Sequence, residues 1–214
     1  MILALETSAP RASLAVVDSD GEVLWDRSFE TERAHNAVIF EPLKEALEVC
    51  KGSLERIAVG LGPGSYAGAR VGIAVANGLA LSRGVATSGV CSLLAYDTEA
   101  VSYGVIGDAR RGTFFRATIE ERTVISGPDL VEEAELKEWI AKSQYPLFSA
   151  DLRVVENFSE VSLVYPAASH LGKQATEISS GPEEIPPPLE PIYLRAPYIT
   201  QAKKKPIGKP FAGR

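Results

Sequence analysis

Two acidic turns and one glycine-rich loop hold most of the chemistry this sequence offers. Glu6, Thr7 and Ser8 close the first apolar segment, and Asp108, Arg110 and Arg111 close a later one. An acid at a strand end suits a magnesium-bound water, and hydroxyls or arginines beside it suit a phosphate. Between the two turns runs GLGPGSYAGARVG, Gly60 to Gly72, with five glycines in thirteen residues. A glycine-rich loop ahead of a helix is a common phosphate cradle.

The standard loop patterns fail one by one. A P-loop needs GxxxxGK[ST], whose lysine reaches the terminal phosphates, and no lysine lies between Gly52 and Arg110. The dinucleotide pattern GxGxx[GA] fits Gly62, Gly64 and Ala67, but needs an acid about 20 residues on for the ribose. No Asp or Glu occurs between Glu55 and Asp97. What remains is a tight Pro63-Gly64 turn with Ser65 as N-cap of the next helix. Gly62, Gly64 and Ser65 are grouped with the two acidic turns as candidate remnants of a nucleotide or phosphate site, a grouping that the loop pattern alone does not establish.

The helix after the loop adds a second signal. Gly68, Gly72, Ala76, Ala80 and Gly84 recur every four residues, so one face has almost no side chains. Glycine costs about 1 kcal/mol against alanine inside a helix, and close approach of another backbone is the usual reason for it. Either the chain's own sheet or a second chain's helix fits that face.

Metal chemistry finds no support. The only histidines, His35 and His170, lie far apart, and Cys50 and Cys91 form no CxxC. Zinc or iron sites need three or four clustered ligands, so neither a metal nor another cofactor is expected. His35, just before a helix, reads as a polar cap or interface residue. No GxSxG elbow marks a serine nucleophile.

Strands and helices must position these residues. ILALET (2–7), LAVVDS (14–19) and EVLWDRSFE (22–30) read as strands, with an Asp20-Gly21 hairpin signal. A helix is expected within 36–51, with Pro42 near the start of its regular part. A strand at 56–62, a helix at 67–83, a strand at 84–90 and a helix near 91–100 follow. SYGVIGDARRGTFFRATIE (102–120) repeats the strand–turn–strand plan, and Asp108 falls where Glu6 falls. The best later helix is 130–142, and SSGPEEIPPPLEP (179–191) reads as an extended proline-rich arm. Two lobes that each open with an acid-tipped antiparallel hairpin, in a mixed sheet flanked by helices, are the layout of the two-lobed actin-like/Hsp70-like ATPase fold, of class α/β. The expected division is 1–101, 102–200 and a basic tail, 201–214.

Composition sets outer limits. The chain has 214 residues, 45% hydrophobic and 23% charged, with net charge −6. Lys203, Lys204, Lys205, Lys209 and Arg214 crowd into the tail without an acid, so only the tail suits phosphate contact with a nucleic acid. The first apolar run is too short for a signal peptide or a membrane span. A cytoplasmic protein with no membrane partner is the expectation.

The stretch VGLGPGSYAGARVGIAVANGLAL (59–81) resembles the signature of the TsaB (YeaZ) family. ILALETS, RAHNAVIFEPLKEAL (33–47), DARRG (108–112) and PIYLRAP (191–197) are similar in order and spacing, which covers most of the chain. That family is the dimerisation subunit of the bacterial machinery for N6-threonylcarbamoyladenosine at position 37 of tRNA. The resemblance implies a non-catalytic scaffold that binds and activates a TsaD homologue, with the TsaE ATPase in the complex and tRNA engaged indirectly. It implies a partner interface built from His35, Val38, Ile39, Gly68, Ala69, Gly72, Ile73, Ala76 and Ala80. Ala67, Ala69 and Asn77 depart from the family pattern. Two rival readings stay open: a free-standing ATP-dependent phosphotransferase or peptidase-like enzyme, and a homodimeric binding module.

Overall fold

Every side chain from Ile2 to Glu6 is buried, a pattern that only a central strand sustains. In the computed structural model, which describes residues 1–31, 36–177 and 189–195, this is β1. Strands β2 (Arg11–Val17) and β3 (Val23–Glu30) follow by hairpins, and β4 (Arg56–Gly60) and β5 (Ala86–Val90) complete the sheet. Its order is β3-β2-β1-β4-β5. Strand β1 runs antiparallel to β2 and parallel to β4.

The period of two along β1 divides its neighbours by size. Leu3 and Leu5 face α1 (Phe40–Val49) and α2 (Tyr66–Arg83), together with Leu14, Val16, Ile57 and Val59. Ile2 and Ala4 face the opposite way, towards α5 (Ala168–Glu177), where Ala168, Leu171 and Ala175 pack. A Cβ at Gly172 would crowd Val17 and Ala4. The small-residue side of the sheet thus takes a helix from the far end of the chain.

The second sheet repeats the plan. It contains β6 (Tyr103–Asp108), β7 (Thr113–Glu120), β8 (Thr123–Glu132), β9 (Leu147–Ser149) and β10 (Val161–Leu163), in the order β10-β9-β6-β7-β8. Strand β6 is antiparallel to β7 and parallel to β9, as β1 is to β2 and β4. Helices α3 (Glu133–Lys142) and α4 (Leu152–Asn157) cover one face through Leu136, Ile140 and Val154. This is the two-lobed actin-like fold. We propose the division near 101–102 as the chain-order boundary between lobes, with α5 as a returning element.

Two local expectations need correction. Residues 91–100 do not form a helix beyond a 3-10 turn at Ser92–Leu94. Their backbone groups pair with the later segment instead: Asp97 N–H donates to Tyr165 O and Ala167 N–H donates to Ala95 O. The helix expected from 130 begins at Glu133, because Leu130 and Glu132 still pair with Phe115 and Thr113 in β8. His35, residues 179–188 of the proline-rich arm and the 201–214 tail lie outside the described residues.

Candidate functional site

The first acidic turn points inwards. Glu6 is fully buried at the end of β1. Its carboxylate accepts from Ser8 N–H at 2.7 Å and from Ser92 Oγ at 2.7 Å. Ser92 Oγ in turn accepts from Gly62 N–H at 3.0 Å. Burial pushes the Glu6 carboxyl above its ordinary range, against the lowering effect of the Ser8 and Ser92 hydrogen bonds. Gly60 makes room for this arrangement, since a Cβ there would collide with the Glu6 carboxylate. Thr7 is also committed inwards, with its hydroxyl donating to Gly68 O at 2.8 Å. Glu6 and Thr7 therefore do not face the cleft as phosphate or metal-water ligands, and this corrects the expectation for them.

The glycine loop serves the same joint. Ser65 N–H donates to Ser8 O at 2.6 Å, and Ser65 Oγ caps α2 by accepting from Gly68 N–H at 3.2 Å. A Cβ on Gly68 would overlap Thr7 O, and one on Gly72 would overlap the Thr7 side chain and press on Val59. The small stripe meets the chain's own sheet. Ala69, Gly72, Ile73, Ala76 and Ala80 are buried there, and Ile39 is buried beside them. As partner-contact residues, Ala69, Gly72, Ile73, Ala76, Ala80 and Ile39 are thus corrected to core positions, while Gly68 is half-buried against the Thr7 backbone. Of that set, Val38 remains exposed.

The two lobes enclose a cleft of about 640 Å³. Ser8, Gly64 and Ser65 line it from the first lobe and Asp108 and Arg110 from the second, whereas Gly62 and Arg111 are not among its lining residues. At the second turn, Asp108 accepts from Arg110 N–H at 2.6 Å, and the Arg110 guanidinium lies 3.5 Å from the same carboxylate. Arg110 and Arg111 both adopt positive φ, 68° and 59°. The structure thus brings Ser8, Gly64, Ser65, Asp108 and Arg110 to one cavity and excludes Glu6 from it.

Among the described residues no group of three His, Cys, Asp or Glu is placed to hold a metal. His170 lies on α5, 3.3 Å from Asp97. No helix of the described residues is long and apolar enough to cross a membrane.

Sequence reasoning missed three features. Ser92 carried no motif, yet it fixes Glu6 and the glycine loop together. Residues 189–195 line the cleft through Pro191 to Arg195, a role their quoted motif did not announce. The outward face of α2 carries no motif or period of its own in the sequence. That face carries Ala67, Ala74, Asn77, Gly78 and Leu81, all exposed, and Leu81 is 88% exposed. Gly78 has open space where a Cβ would stand. On the same side of the sheet Phe40, at the start of α1, is 61% exposed.

Two lobes, each a five-stranded mixed sheet opened by an acid-tipped hairpin, define the actin-like class. Two solved structures from Pseudomonas aeruginosa share this fold. A protein described as similar to peptidase YeaZ aligns at TM-score 0.68 and 20% identity, covering 91% of this chain and 99% of that one. YeaZ itself aligns at TM-score 0.60 and 21% identity, covering 81% and 89%. Residues 29–144 match the family model described as TsaD, tRNA N6-adenosine threonylcarbamoyltransferase. The tRNA threonylcarbamoyladenosine biosynthesis protein TsaB of Escherichia coli is 29% identical over 222 aligned residues, covering 91% of this chain and 94% of that protein. An uncharacterised protein of Mycobacterium leprae is 26% identical over 206 residues, and the alignment covers 92% of this chain but 55% of that protein. The chain belongs to the family whose model is described as TsaD, tRNA N6-adenosine threonylcarbamoyltransferase, and within it is similar to TsaB and YeaZ proteins.

Proposed function

We propose that this chain is a cytoplasmic, non-catalytic scaffold subunit. It binds and activates a TsaD homologue in forming N6-threonylcarbamoyladenosine at position 37 of tRNA, with the TsaE ATPase in the complex. The observation that carries the reading is the outward face of α2 beside α1. Leu81 on α2 and Phe40 on α1 are exposed at 88% and 61%, and the exposed Ala74 and the open space at Gly78 leave room on α2 for another helix to approach closely. Large exposed apolar side chains around a patch of small ones mark a surface that a partner covers. Val38 extends this face, and His35, outside the described residues, precedes it in the chain. A homodimer of the isolated chain would use the same face.

Gly78→Arg with Leu81→Arg tests the assignment. Both positions are exposed, so the variant should melt within about 0.5 kcal/mol of the parent. It should no longer co-purify with the organism's TsaD homologue, and tRNA modification by the reconstituted complex should fall with it. Undiminished co-purification would remove this face from the proposal. The enzyme alternative predicts ATP or peptide turnover by the pure chain that disappears in Asp108→Ala.

A further inference from the structure

Residues 189–195 touch both lobes within seven positions. Leu189 packs with the core of the first lobe, and Leu194 packs with that of the second. Between them, Ile192 N–H donates to Leu61 O at 2.8 Å, inside the glycine loop. The Tyr193 ring lies 5.1 Å from the Tyr66 ring, at the first residue of α2. Tyr66 is also held by Arg70, whose guanidinium is 5.1 Å from the ring centre and donates to the Tyr66 hydroxyl at 3.2 Å. Arg195 donates to Thr113 Oγ1, and the Thr113 hydroxyl donates to Arg110 O at 2.8 Å. One short extended segment therefore connects the glycine loop of the first lobe to the acidic turn of the second, along the wall of the cleft.

We propose that residues 189–195 are an interlobe latch that holds the cleft at a fixed opening. The chain crosses between the lobes at 91–102 and again at 164–167, two crossings that pair with each other, and the lobes can move about that joint only if one end of this segment lets go. The first-lobe end has one backbone hydrogen bond, one aromatic pair and the Leu189 contact. The second-lobe end has the Leu194 contact and the Arg195–Thr113 hydrogen bond. A ligand entering the cleft meets Tyr193 and Arg195 on this wall, so lobe closure and latch release compete for the same residues. The latch makes the chain one rigid platform, with Tyr66 joining it to the head of α2.

Hydrogen exchange on the full chain, read by mass spectrometry, tests the latch. In Tyr193→Ala/Arg195→Ala, exchange should quicken together at 61–65 and at 109–113. The expected factor is roughly tenfold or more, that of losing one hydrogen bond and one aromatic pair. Strands β1 and β6 should keep their protection, and small-angle scattering should show a wider molecule. Faster exchange confined to 189–195 itself, with both loops unchanged, would overturn the proposal. Should the double variant unfold, Arg195→Ala alone decides. Faster exchange at 109–113 with intact sheets supports the latch, and unchanged exchange there refutes it.

Discussion

The hairpin that ends at Glu6 and the one that ends at Asp108 occupy equivalent places in two similar sheets, yet their environments are opposite. Glu6 is fully buried, bonded to Ser8 and Ser92, and walled by Gly60. Asp108 borders the cleft, and its carboxylate accepts from Arg110 N–H within its own turn. One hairpin has become a joint that seats α2, while the other still presents an acid and an arginine to a cavity. Topology places an acid at the strand end; the residues across from it decide whether it serves structure or stays free to meet a ligand.

The widest separation between the two should come from the seat of α2. Gly72→Leu drives a side chain into Thr7 and Val59, and overpacking of a closed core costs about 3 kcal/mol or more at such a site. The chain should melt far earlier or aggregate, and differential scanning fluorimetry reads this directly. A near-normal melting curve would mean that the stripe is not core.

Glu6→Ala should rank next. It removes the acceptor of the buried Ser8 N–H and Ser92 hydroxyl, at a cost of about 1–3 kcal/mol, measured by urea unfolding. A neutral result would make the two acids alike after all.

A smaller, pH-dependent difference follows from burial. The folded protein holds the Glu6 proton more tightly than the unfolded chain, whose carboxyl keeps its ordinary value of 4.5. The contribution of Glu6 to stability is therefore fully present below that value and is lost as pH rises through the raised folded value. Glu6→Gln should remove this dependence, so the variant gains on the parent as pH increases. Parallel stability curves for the two proteins would contradict the assignment. Asp108→Ala should have the least effect, within about 0.5 kcal/mol, as for other surface turns. A larger loss on thermal unfolding would show that the second hairpin is also a joint.

The sequence revealed the lobes through their hairpins. Asp20-Gly21 and the repeat at 102–120 are local signals, and their strands form as local signals demand. It also revealed that something approaches α2 closely, because glycines four apart have no other economical reason. It did not reveal what approaches. A four-residue period looks the same whether Thr7 and Val59 of the same chain or a foreign helix fills the groove. The inward turn of Glu6 was equally hidden, since its partner Ser92 lies 86 residues away and belongs to no motif. Residues 123–132 were unreadable as a strand because Gly127 and Pro128 interrupt the pattern, and only pairing with β7 keeps them in the sheet. Long-range partners, not propensity, settled each of these cases.

The space that Gly60 leaves open is filled by the charge of Glu6, so these two positions cannot drift independently as such chains diverge. A side chain gained at position 60 while Glu6 remains would collide with the carboxylate and be purged. A shortened acid arising first at position 6 would leave a gap that a later alanine at 60 could fill once the Ser92 hydroxyl, 2.7 Å from that Cβ, has shifted. Divergence at this joint has a permitted order, acid before glycine, and lineages that have lost the glycine should already have lost the glutamate.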